Sequence, residues 1–205
     1  MADQTGLRER KKAATKAALS AATFRLAVTK KGLGSVTADE IAAEAGVSTR
    51  TFHNYFPSKE AALLHDFNET TNALLADLRE RAKTQPIWDA IRDAGIAMHL
   101  DEKFDLEMMR CREQLIHDSP SLIKEQSGQF MALFTEAIGI VAEATGTAVT
   151  DLYPRLVLGS ALVCIKTTTE HWLSEPGERT LAEAITEGFA VLEHGITKPP
   201  SAPGN

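Results

Sequence analysis

Thr49-Arg50-Thr51-Phe52-His53-Asn54-Tyr55 is a run rich in hydrogen-bonding side chains without a single acid. In a helix Arg50 and Asn54, four apart, share one face, while Phe52 and Phe56, also four apart, share the roughly opposite one. An arginine fork matches the two acceptors on the major-groove edge of guanine, an asparagine amide matches adenine, and a threonine methyl can touch the thymine methyl. Thr49, Thr51, His53 and Tyr55 fill the flanks of that face. Its chemistry is recognition of a duplex; the competing reading is a solvated helix on a small hairpin.

The remaining chemistry-bearing residues assemble into nothing comparable. His99 with Asp101, or His117 with Asp118, lacks the spacing that sets two ligands on one helical face, and no HExxH or CxxC pattern occurs. A GxSxG elbow and a phosphate-cradling glycine loop are also missing. No catalytic residue, metal or cofactor is therefore expected. Cys111 and Cys164 are far apart in sequence and read as reduced thiols, with redox sensing as the alternative.

The polar face needs a rigid mount, and the stretch Thr37 to Phe56, TADEIAAEAGVSTRTFHNYF, supplies one. Thr37 with Glu40 three residues on is a capping box with an acidic first turn. Gly46 supplies the positive φ of a tight turn, and Ala42 is small enough for a second helix to approach closely. Ile41, Ala45, Val47 and Phe52 provide the buried contact. Two helices so joined read as a helix-turn-helix whose second helix enters a major groove.

Elsewhere the apolar spacing is helical nearly throughout. Helices are predicted near 7–30, 38–45, 49–55, 58–83, 86–99, 103–117, 120–145, 151–174 and 179–195, with Pro120 in a first turn and Ser58 as a cap. No segment alternates with period two, so the fold class is all-α: a three-helix head joined by a long helix to a helical body, about nine helices in all. The expected divisions are 1–57 for the head, 58–197 for the body and 198–205 for a disordered proline-rich tail.

The 205 residues carry 22 Lys plus Arg against 28 Asp plus Glu, a formal charge of −6. Residues 1–60 hold ten basic and six acidic side chains, or +4, leaving −10 on the rest. An acidic body repels a polyanion, so nucleic acid belongs on the head. The longest apolar run, from Leu156 to Ile165, is about half of the ~20 residues that a spanning helix needs. The N-terminus resembles no secretory signal; no membrane partner and a cytoplasmic location are expected.

Residues 8–64, and above all VTADEIAAEAGVSTRTFHNYFPSKEAAL, resemble the DNA-binding domain of the TetR family of transcriptional regulators. The resemblance implies a homodimer that binds a double-stranded, palindromic operator, usually as a repressor, and is released by a small-molecule effector held in the C-terminal helices. It also assigns roles. Thr37 binds phosphate through its hydroxyl or the adjacent amides; Ser48 and Thr49 open the recognition helix, and Arg50 and Thr51 approach base edges. His53, Asn54 and Tyr55 contact backbone or bases, and Lys59 matches a phosphate-binding lysine. His53 departs from the commoner tyrosine. Lys16 and the cluster Arg8, Arg10, Lys11 and Lys12 either contact phosphates, lie in a minor groove, or form a solvated helix end.

For the body, Leu156 and Gly159 on one helix and Leu181, Ile185, Gly188, Phe189 and Leu192 on the last form apolar stripes that suit a four-helix dimer interface, with intramolecular core as the alternative. Trp88, Met98, Phe104, Met108, Met109, Phe130 and Phe134, with Thr168 and Trp172 on a polar side, are candidates for lining a largely apolar effector pocket, each also an ordinary core residue. A DNA-bound architectural or partner-recruiting protein without an effector is the rival reading.

Overall fold

The computed structural model describes residues 2–100, 106–175 and 178–195, with side chains for 8–99, 107–108, 110–175 and 178–195. Phe104, the Met109 side chain and the 198–205 tail lie outside the described residues. Among those described, no strand occurs. The helices are α1 (Ala2–Thr29), α2 (Ala38–Glu44), α3 (Thr49–Tyr55), α4 (Lys59–Arg81), α5 (Ile87–Leu100), α6 (Leu106–His117), α7 (Pro120–Thr145), α8 (Leu152–Ser174) and α9 (Leu181–His194), with a 3-10 turn at Leu33–Ser35 between α1 and α2. The all-helical expectation holds, helix by helix.

The chain packs as two compact units, one of Met1–Thr71 with Asp105–Ala132, the other of Asn72–Phe104 with Leu133–Asn205. The sequence division at residue 57 follows the chain; the packing does not. Leu115 and Ile116 of α6 and Leu122 of α7 are buried in the same cluster as Leu19, Ile41, Phe52, Phe56 and Leu63. Burying such side chains stabilises by about 1.5–3 kcal/mol each, which ties α6 and the start of α7 to the head.

In the first unit the turns are fixed by backbone hydrogen bonds. Val47 N–H donates to Ala42 O at 2.9 Å and Gly46 N–H to Ala43 O at 3.1 Å. That paired closure is a Schellman motif, and Gly46 takes its left-handed position at φ +69°. α1 ends the same way, with Gly32 N–H on Ala27 O and Lys31 N–H on Val28 O. There Lys31, at φ +53°, occupies the left-handed position, one residue before Gly32. At the start of α2 the capping box is complete: Thr37 Oγ1 accepts from Glu40 N–H and Glu40 Oε2 accepts from Thr37 N–H at 2.9 Å. Lys30 Nζ donates to Glu40 Oε1 at 2.5 Å.

In the second unit Ile91, Ile138, Val141, Leu158, Ile185 and Phe189 form the core. α9 lies close on α8 because Gly188 has no side chain; a Cβ there would stand 2.6 Å from Thr168 Oγ1 and 2.9 Å from Cys164 Sγ. Three residues of the expected interface stripe on α9 turn inward. Leu181, Ile185 and Phe189 are 8%, 0% and 1% exposed in a single chain, so they are spent on the internal core and no partner can reach them.

The hydrogen bond from Lys30, then those from the Thr37 backbone and hydroxyl, lower Glu40 from its ordinary 4.5 to about 2. A carboxylate whose folded value is depressed contributes stability that is complete above the unfolded value and lost as the pH falls through the folded one. Glu40→Gln is therefore expected to lower the unfolding midpoint relative to the parent above about pH 4.5, with the gap closing toward pH 2. Thermal unfolding across that range checks it; a pH-independent gap would show that the carboxylate's charge is not what caps α2.

Candidate nucleic-acid interface

α3 is seven residues long and is held at both ends and along one side. Ser48 caps it, its hydroxyl accepting from Thr51 N–H at 3.1 Å and sharing a 2.8 Å hydrogen bond with Thr51 Oγ1. Thr49 Oγ1 donates to Asp39 Oδ1 of α2 at 2.5 Å. The inner side is Phe52 and Phe56, 1% and 4% exposed, with ring centroids 6.2 Å apart. Phe56 also meets the His65 ring of α4 edge-on at 5.3 Å. Two buried aromatics one turn apart fix the rotation of the helix about its axis.

That rotation leaves Arg50, His53 and Asn54 exposed and Tyr55 half-buried. Among the described residues no hydrogen bond or ion pair engages the side chain of Arg50 or Asn54. The His53 ring stands edge-on to Phe52 at 5.2 Å, which orients it on the same exposed side. Thr37, Ser48, Thr49 and Thr51 spend their hydroxyls on capping and on Asp39. What they offer a ligand from this arrangement is chiefly the backbone and the threonine methyls.

Lys59 is placed differently from what its sequence position implies. Its ammonium donates to three carbonyls of the α1–α2 connection: Leu33 O at 2.9 Å, Gly34 O at 3.3 Å and Val36 O at 2.9 Å. An ammonium has three protons, and all three are so used. Lys59 thus pins the 33–36 turn to the start of α4, while Lys30 holds the same turn through Ser35 O at 3.1 Å. Nothing local in the sequence signals this clamp, since the partners lie 23 to 26 residues away.

The candidate pocket residues fall in both units. Trp88 is half-buried against Phe189, with ring centroids 4.7 Å apart. Phe134 and Trp172 pack on the same core, and Trp172 Nε1 donates to Arg179 O at 2.7 Å. Met98 and Thr168 are half-buried in this unit as well. Met108 and Phe130 belong to the first unit, where they are 40% and 52% exposed. Burial pushes the Cys164 thiol up, which disfavours its reactive thiolate. No group of three metal-ligating side chains occurs among the described residues, and no helix described is long and apolar enough to cross a membrane.

Comparison with known proteins bears on both parts of the chain. Residues 16–65 match the bacterial regulatory proteins of the tetR family, and residues 85–197 match the MftR C-terminal domain. The chain is 30% identical over 169 residues to a Mycobacterium tuberculosis protein assigned as the mycofactocin biosynthesis transcriptional regulator MftR, covering 82% of this chain and 84% of that one. Among solved structures, one assigned as a transcriptional regulator of Pseudomonas aeruginosa PAO1 superimposes with a TM-score of 0.60 at 20% identity, over 87% of this chain and 88% of that one. A TetR-family regulator of Mesorhizobium loti gives 0.57 at 16%, over 89% and 95%. Thermus thermophilus FadR, a TetR-family repressor in complex with lauroyl-CoA, gives 0.50 at 23%, over 93% and 100%. The two family matches and the M. tuberculosis relative agree, and this chain belongs to the TetR family of transcriptional regulators.

Proposed function

We propose that this chain is a dimeric repressor that sets its two α3 helices into successive major grooves of a palindromic operator and is released by a small amphipathic or largely apolar effector. The observation that carries the reading is the exposed pair Arg50 and Asn54 on a helix whose rotation is fixed by buried aromatics. Arg50, Thr51 and Asn54 then read base edges; His53 and Tyr55 flank them, and Thr37 and Ser48 lie where helix-start amides meet phosphates.

Pairing is supported by α8. Leu152, Leu156 and Val163 repeat along one face, 69%, 56% and 65% exposed, beside Tyr153 at 53%. Leu156 and Val163 also line an apolar groove of about 600 Å³ between α8 and α9, together with Gly159, Gly188, Val191 and Leu192. A bare apolar stripe of this kind marks an interface, and a two-fold axis would cover it with its own copy. Effector binding is supported by Trp88 Nε1 and Thr169 Oγ1, buried polar atoms with no hydrogen-bond partner among the described residues, which a ligand's polar atoms would satisfy. FadR holds lauroyl-CoA, so an acyl-CoA is one ligand to titrate. The M. tuberculosis relative is named for mycofactocin biosynthesis, and locating the selected operator in the genome tells whether such genes answer to this chain.

Two measurements test the reading. Against a duplex selected from random sequence, Arg50→Ala is expected to cost about 1–3 kcal/mol at particular base pairs with unfolding unchanged. Lys59→Ala is expected to lower the unfolding midpoint and to weaken all duplexes alike, because it releases the 33–36 turn that leads into α2. An equal loss on every sequence for Arg50→Ala would contradict base reading. Val163→Glu is expected to convert the sedimenting dimer to monomer; a dimer that persists would place the interface elsewhere.

A further inference from the structure

α1 begins at Ala2, yet among its side chains described, from Arg8 on, the first buried one is Leu19. From Arg8 to Ala18 every side chain is exposed or half-buried, a projection of about 16 Å at 1.5 Å per residue. Hydrophobic packing does not hold this half in place. Its charges work against it too. Arg8 and Lys12 are like charges four residues apart on one face, a pairing that destabilises a helix. An unpacked helical stretch with like charges on one face points to something outside the fold that compensates.

What lies opposite identifies it. Arg8, Lys11, Lys12 and Thr15 fall on one side of α1 and line, with Glu9, an open cleft of about 770 Å³ whose other wall is Asn54 and Tyr55 of α3. Arg10 points to the other side of the helix and takes no part in it. The cleft is therefore continuous with the recognition face, and its α1 wall carries three cations against one carboxylate.

We propose that this cleft seats the sugar-phosphate backbone bordering the major groove that α3 reads, with Arg8, Lys11 and Lys12 as its phosphate contacts and Asn54 and Tyr55 turned to the same strand. The proposal rests on the DNA-binding reading and adds to it a second contact surface per head. Its α1 wall carries affinity and register but no base information.

Triple substitution Arg8→Gln, Lys11→Gln, Lys12→Gln in the full chain tests it, with binding to the selected duplex followed by fluorescence anisotropy over a range of salt. Removing one phosphate-neutralising cation makes the slope of log K against log salt shallower by about 0.9, so the triple variant is expected to flatten by about 2.7 with its ranking of duplexes unchanged. Arg10→Gln, the same charge removed from the opposite side, is expected to leave the slope nearly as it was. A triple variant with the parental slope would overturn the proposal, and so would an Arg10→Gln effect as large per residue, which would mean long-range attraction rather than a seat. If the parent chain itself prefers no duplex, the DNA-binding reading fails, and this proposal with it.

Discussion

Everything functional about the head depends on where two phenylalanines are buried. α3 has only seven residues, too short to persist in water by propensity alone. Phe52 and Phe56 fasten it to the core that Leu19, Ile41 and Leu63 build, and once they are inside, Arg50 and Asn54 have nowhere to go but out. The Gly46 turn fixes where α3 starts, Ser48 caps it, and the Asp39–Thr49 hydrogen bond ties its first turn back to α2. Interactions that are modest one by one act on a single degree of freedom, the rotation of α3. Tilting that rotation by one residue would turn the binding face toward the core.

Much of this was legible from residue order because it is local. A capping box, a glycine after the last helical turn and two aromatics four apart all act within a few residues, so spacing reports them directly. The α7 limits at Pro120 and Thr145 were legible for the same reason. What spacing cannot report is which neighbour a stripe meets. Leu181, Ile185 and Phe189 keep the period of an interface and the period of a core equally well, and burial in a single chain assigns them to the core. Lys59 has a long-range partner set, and Lys31 takes the left-handed turn position that glycine favours, with no marker in its own identity.

The packing of α6 has a consequence for how the family's two tasks share one chain. Leu115 and Ile116 are buried with the head's core, and the half-buried Arg112 guanidinium lies 5.6 Å from the Phe24 ring of α1. α4 and α7 each begin in the first compact unit and end in the second.

The most direct measurement of the central claim is selection of bound duplexes from a random pool by the full chain. An α3 face held outward in a two-fold dimer enriches an inverted repeat whose half-sites are centred about one helical turn apart, ~34–36 Å. Recovery of no common sequence at modest salt, with the protein folded, would contradict the account.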